Sequence, residues 1–80
     1  MDNIYSIIGQ LPNELKSCFM AFDNVLLSNI TEIRLRINKP IIIYILDKPY
    51  FISKYDKLIN HYTDSVRYLS GEEFKFILDN

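Results

Sequence analysis

The stretch from Ile30 to Ile52, ITEIRLRINKPIIIYILDKPYFI, narrows the choice of fold more than any other part of the chain. It is dominated by β-branched and aromatic residues. Two similar tripeptides cut it, Asn38-Lys39-Pro40 and Asp47-Lys48-Pro49. Proline fixes its own φ and pushes the preceding residue out of the α region, so both tripeptides read as strand connectors. Three strands of an antiparallel meander are therefore expected. Side chains alternate between the faces of a strand. Thr31, Ile33, Leu35 and Ile37 are expected to enter a core, with Glu32, Arg34 and Arg36 on the opposite face. The second strand, Ile41 to Leu46, is apolar on both faces and reads as a central strand covered from both sides.

Helices flank this sheet. Ile4, Ile7, Ile8 and Leu11 mark one helical face, with Asp2 or Asn3 as its cap. Pro12 opens a second helix to about Phe22, with Leu15, Phe19 and Phe22 inward and Glu14 near its positive end. Val25 to Leu27 reads as a further helical turn. Ser53 to Asp64 reads as a loop, and Val66 to Leu69 as a short fourth strand. Ser70-Gly71-Glu72-Glu73 has the spacing of a capping box and starts a helix with Phe74, Ile77 and Leu78 on one face. The expected fold is α+β, one domain over residues 1–80. It comprises N-terminal helices (3–27), a small antiparallel meander of three to four strands (31–69) and a C-terminal helix (71–79).

Several chemistries lack their residues. The net charge is -1, without the basic excess that nonspecific nucleic-acid binding rests on. The two glycines, Gly9 and Gly71, belong to no Gly-Lys-Ser/Thr run, so a phosphate-binding P-loop is missing. His61 is the only histidine and Cys18 the only cysteine, too few for a zinc site of ordinary spacing. His61 reads as a solvated loop residue and Cys18 as a buried structural thiol. Glu72 and Glu73 are explained by the cap and the helix dipole rather than by acid–base work. The six tyrosines are scattered, although Tyr44 and Tyr50 could lie near Arg34 or Arg36. The apolar run Ile41 to Leu46 is far too short to span a bilayer. Two readings of Glu32, Arg34 and Arg36 stand side by side. One is a solvated face with weak cross-strand ion pairs. The other is an interface, for which arginine's planar fork is suited.

Leu11 to Leu15 (LPNEL), Glu32 to Pro40 (EIRLRINKP), the DKPYFI return and Tyr68 to Leu78 (YLSGEEFKFIL) together resemble the N-terminal region of the stage III sporulation protein AA family. That family comprises ATPases similar to the hexameric motors of type II secretion and type IV pili. Asn38-Lys39 stands where much of the family has a glycine-containing turn. The resemblance implies a PAS-like, non-catalytic N-domain of a longer ATPase. Its partner would be the ATPase core of the same or a neighbouring subunit, with membrane subunits of a channel between mother cell and forespore as further partners. ATP and magnesium would belong to the core, with no cofactor or metal in this domain. The location implied is the mother-cell cytoplasm, peripheral to the membrane through partners, with no nucleic-acid partner. No catalytic residue carries over. Glu32, Arg34 and Arg36 are the candidate interface residues. The competing reading is a stand-alone interaction adaptor that uses the same sheet face.

Overall fold

Pro12 has no amide hydrogen to leave unsatisfied, and it stands just ahead of the second helix with extended ψ. The computed structural model describes residues 4–78. Three short helices, α1 (Ile4–Gly9), α2 (Asn13–Met20) and α3 (Asn24–Ser28), precede a sheet of β1 (Ile30–Arg34), β2 (Ile42–Ile45), β3 (Lys48–Ile52) and β4 (Leu58–Ile59). Helix α4 (Gly71–Leu78) follows. The architecture is α+β, with an antiparallel sheet in the order β1-β2-β3-β4. Any cap from Asp2 or Asn3 lies outside the described residues.

The helical patterns hold with trimmed ends, except that Leu78, expected on one face with Phe74 and Ile77, is exposed while those two pack on the core. Leu15 and Phe19 are fully buried and Phe22 half-buried, its ring edge-on to Phe19 at 5.8 Å. Ile8 and Leu11 are buried too, but Ile7 is exposed. The reason is that α1 stops at Gly9. Tight bonds from the amides of Gln10 and Leu11 to the carbonyls of Ile7 and Ile8 carry Leu11 inward by a turn, so the helical stripe is not extended through Ile7. At α3, the Asp23 carboxylate accepts from the Leu26 amide at 2.8 Å.

The sheet departs from the simple alternation in three places. First, β1 carries a bulge. Ile30 pairs with Ile45 and Glu32 with Tyr44, leaving Thr31 unpaired between them. A bulge adds one residue and reverses the parity of what precedes it. Ile30 and Ile33 therefore pack on the core while Thr31 is exposed, and Leu35 packs from beyond the strand. Ile37 is exposed and lies against Gly71, where an added Cβ would be 3.6 Å from its Cδ1. Second, the Asp47-Lys48-Pro49 connector is shorter than expected. Only Leu46 and Asp47 turn, both at positive φ (50° and 66°), and Lys48 and Pro49 already belong to β3. Ile45 and Lys48 close the two-residue hairpin, so Tyr44 and Pro49 form the next, non-hydrogen-bonded pair. The side of Pro49 that lacks an amide hydrogen then faces away from β2, at a level that β4 does not reach.

Third, the fourth strand is Leu58–Ile59, within the expected loop, and it pairs with Phe51 and Ile52. Val66 to Leu69 is a stitch of isolated bridges instead. It bonds on one side to Asn38, Lys39 and Ile41, and on the other to Ile52 and, through Ser65, to Lys54. Bonds to two separate segments leave no continuous ladder for a regular strand.

The core lies between the helices and one face of the sheet. Leu15, Phe19, Leu27, Ile41, Ile43, Ile52 and Leu69 are at or near zero exposure. Each such side chain contributes about 1.5–3 kcal/mol relative to exposure. Strand β2 is central, as expected, but it is sealed on one face only: Ile43 is buried, whereas Ile42 and Tyr44 are half-buried.

Candidate functional site

The pairing register decides which side chains share the sheet's outer face. Arg34 opposes Ile42, Ile42 opposes Phe51, and Phe51 opposes Ile59, one row across all four strands. Beside it runs a second row, Glu32, Tyr44 and Pro49. None of these seven belongs to the core cluster or packs against it. Tyr62 extends the face, its ring edge-on to Phe51 at 6.1 Å. The Tyr62 hydroxyl meets that of Tyr68 at 2.6 Å, and this bond raises the Tyr62 pKa.

Arg34 is held from two directions. Its Nε donates to the Glu32 carboxylate two residues back along the same face. The guanidinium carbon lies 4.9 Å from the centre of the Tyr44 ring, the diagonal neighbour across the strands. The hydrogen bond and charge of Glu32 raise the Arg34 pKa further above its ordinary value. The two terminal nitrogens of Arg34 have no hydrogen-bond partner among the described residues. Side-chain exposure is 45% for Arg34 and 49% for Glu32, so the pair adds little to stability. Its effect is to give an exposed fork one orientation.

Of the three charged residues expected on this face, the structure joins two. Arg36 lies two residues beyond the end of β1, in the 35–41 connection, where its carbonyl accepts from the Lys39 amide. Its side chain is exposed and outside the strand rows. Tyr44 meets Arg34, whereas Tyr50 pairs with Ile43 and points to the core side. Phe51, Ile59 and Tyr62 complete the face without a periodic signal in the sequence. Their assembly depends on β4 and on the loop after it.

A second polar cluster lies under α2. An open depression of about 400 Å³ is lined by Glu14, Ser17, Lys54, Asp56 and Arg67. Its charges balance, two acidic and two basic. Arg67 Nη2 donates to Glu73 Oε2, while Nη1 is buried with no partner among the described residues. Glu73 Oε1 accepts from the Ser70 amide and the Ser70 hydroxyl accepts from the Glu73 amide, a complete capping box. Cys18 is buried beside Asp56. Burial pushes its thiol up to about 11, with the Asp56 charge and hydrogen bond adding to the shift. His61 is exposed and, among the described residues, bonds only its neighbour Asn60. No group of three His, Cys, Asp or Glu among the described residues could hold a metal ion. Nor is any described helix long and apolar enough to cross a membrane. Comparison with family models, with curated proteins and with solved structures finds no match to this chain.

Proposed function

We propose that this domain is the non-catalytic assembly and regulatory module of a sporulation ATPase of the stage III AA type. In this reading it packs by the outer face of its sheet onto the ATPase core of its own or a neighbouring subunit. The observation that carries the reading is the outer face itself. One face of β2 is sealed by the helices, while Ile42, Tyr44 and Phe51 remain half-buried beside an oriented Arg34. A half-apolar face with a charged margin fits a contact made with another folded domain. The LPNEL, EIRLRINKP and YLSGEEFKFIL segments supply the family side of the argument. ATP, magnesium and hydrolysis then belong to the core, and this domain's work is to position that core.

The test is a titration of this domain into a separately produced ATPase core of the same protein, followed by calorimetry and by ATP turnover. Saturable binding with changed turnover supports the proposal. Absence of binding and unchanged turnover overturn it in favour of an adaptor for other proteins.

A further inference from the structure

The outer face has a polarity that the proposal above does not use. Its cation is at one end of a row whose other members are apolar: Arg34, Ile42, Phe51, Ile59. Neighbouring strands are roughly 4.8 Å apart, so the apolar part begins one strand, about 5 Å, from the β1 backbone and continues for about 10 Å. Arg34 bends back over Tyr44 towards Glu32 and leaves its direct cross-strand neighbour Ile42 half-exposed. One ring face and Nε of the guanidinium are engaged, which leaves the paired terminal nitrogens as its free edge.

From this arrangement we infer that the face receives a protein segment bearing one carboxylate side chain beside a short apolar run. The carboxylate takes the Arg34 fork and the apolar side chains cover Ile42 and Phe51. Charge complementarity selects the carboxylate. Two oxygens match two parallel N–H groups. A phosphate carries nearly two charges and favours several cations. On the strand rows of this face Arg34 is the single cation, and Glu32 beside it repels a dianion. The apolar row also sets the face apart from a phosphate-tracking groove, which is lined by positive charge. Glu32 is thus a positioning residue, and Arg34 is the specificity-determining contact.

This inference rests on the outer face being the docking surface, and its first test needs no ATPase core. A phage-displayed library of random twelve-residue peptides is selected on the domain, in parallel with Arg34→Glu and Phe51→Asp variants checked for native circular dichroism. The expected result is enrichment of peptides with Asp or Glu next to apolar residues. Selection on Arg34→Glu should replace the acid by Lys or Arg, and Phe51→Asp should lose the selected peptides. Against a synthetic selected peptide, Arg34→Gln should bind about tenfold more weakly. Peptides without an acid, peptides unchanged by Arg34→Glu, or no enrichment at all would overturn the carboxylate assignment. Tighter binding of a phosphorylated serine peptide than of its glutamate counterpart would overturn it in favour of phosphate. A core that binds the domain with the same affinity after Arg34→Gln would leave the assembly reading standing and remove only this one.

Discussion

Arg67 and Glu73 are joined across the start of α4 by a charge-assisted bond in which both side chains are 17% exposed. The same carboxylate closes the capping box, so one side chain ties the 66–69 stitch to the helix that follows.

Replacing Glu73 should therefore cost more than an ordinary surface ion pair. Glu73→Gln keeps the shape but leaves the Arg67 guanidinium half-buried and unpaired, and the expected loss is about 1–3 kcal/mol. Burial raises the Glu73 pKa, but the Ser70 amide, Arg67 and the Ser70 hydroxyl outweigh it, and the net direction is downward. The folded state thus binds this proton less readily than the unfolded chain. The contribution is complete above the ordinary value of 4.5 and disappears as the pH falls through the lowered folded value. Urea unfolding of both proteins from pH 7 to pH 2 should show the gap between them closing in acid.

The hairpin tip is strained. Leu46 adopts φ 50° and Asp47 φ 66°, and leucine is poorly suited to the left-handed region. Leu46 is also exposed, so its side chain returns little by packing. Leu46→Asn combined with Asp47→Gly, the residues such a turn favours, should raise stability by about 1 kcal/mol. Chemical denaturation measures it. Lower stability would show that the Leu46 side chain has a packing role.

Cys18 should be nearly inert while the domain is folded. A thiol moved from 9.0 to about 11 has about one hundredth of the thiolate at pH 8, before access is considered. Iodoacetamide labelling at pH 8 should be at least about a hundredfold slower for the native protein than in denaturant. The same shift stabilises the fold fully below pH 9, and that stability is lost as the pH rises through about 11.

Arg34 and Arg36 should separate in a functional assay. Arg34→Ala removes an exposed pair, so stability should barely change while binding at the outer face falls. Arg36→Ala, beyond the strand rows, should leave both unchanged. Parallel melting curves and binding titrations decide this. Equal loss of binding for both variants would place the contact at the β1–β2 connection instead.

The parts of the fold that were readable in advance follow from local rules. Leu15 and Phe19 keep helical spacing, the box at Ser70 and Glu73 is a local exchange of bonds, and β2 is central because its apolar run is long. What was not readable depends on register. Nothing in Ile30-Thr31-Glu32 says that Thr31 will bulge, with its hydroxyl donating to the Tyr44 carbonyl. Asp47-Lys48-Pro49 looks like its counterpart at 38–40, yet Pro49 is absorbed into β3 because its amide-less side meets no neighbouring strand. The candidate site shares this division. Glu32 and Arg34 followed from strand alternation, whereas Phe51, Ile59 and Tyr62 joined them through pairings that only the folded chain makes.

The stitch at 66–69 bears on the order in which the chain acquires its shape. Asn38 and Ile41 form their amide bonds with Leu69 and Arg67, residues made 31 and 26 positions later. During synthesis, β2 has both its neighbouring strands as soon as β3 emerges, but the connection ahead of it must wait. Any chain that stops short of Val66 leaves those amides, and the buried Ile41 just ahead of β2, without their closing partner. The late residues thus act as the lacing on a sheet laid out before them, and the domain is committed to its final form only when they arrive.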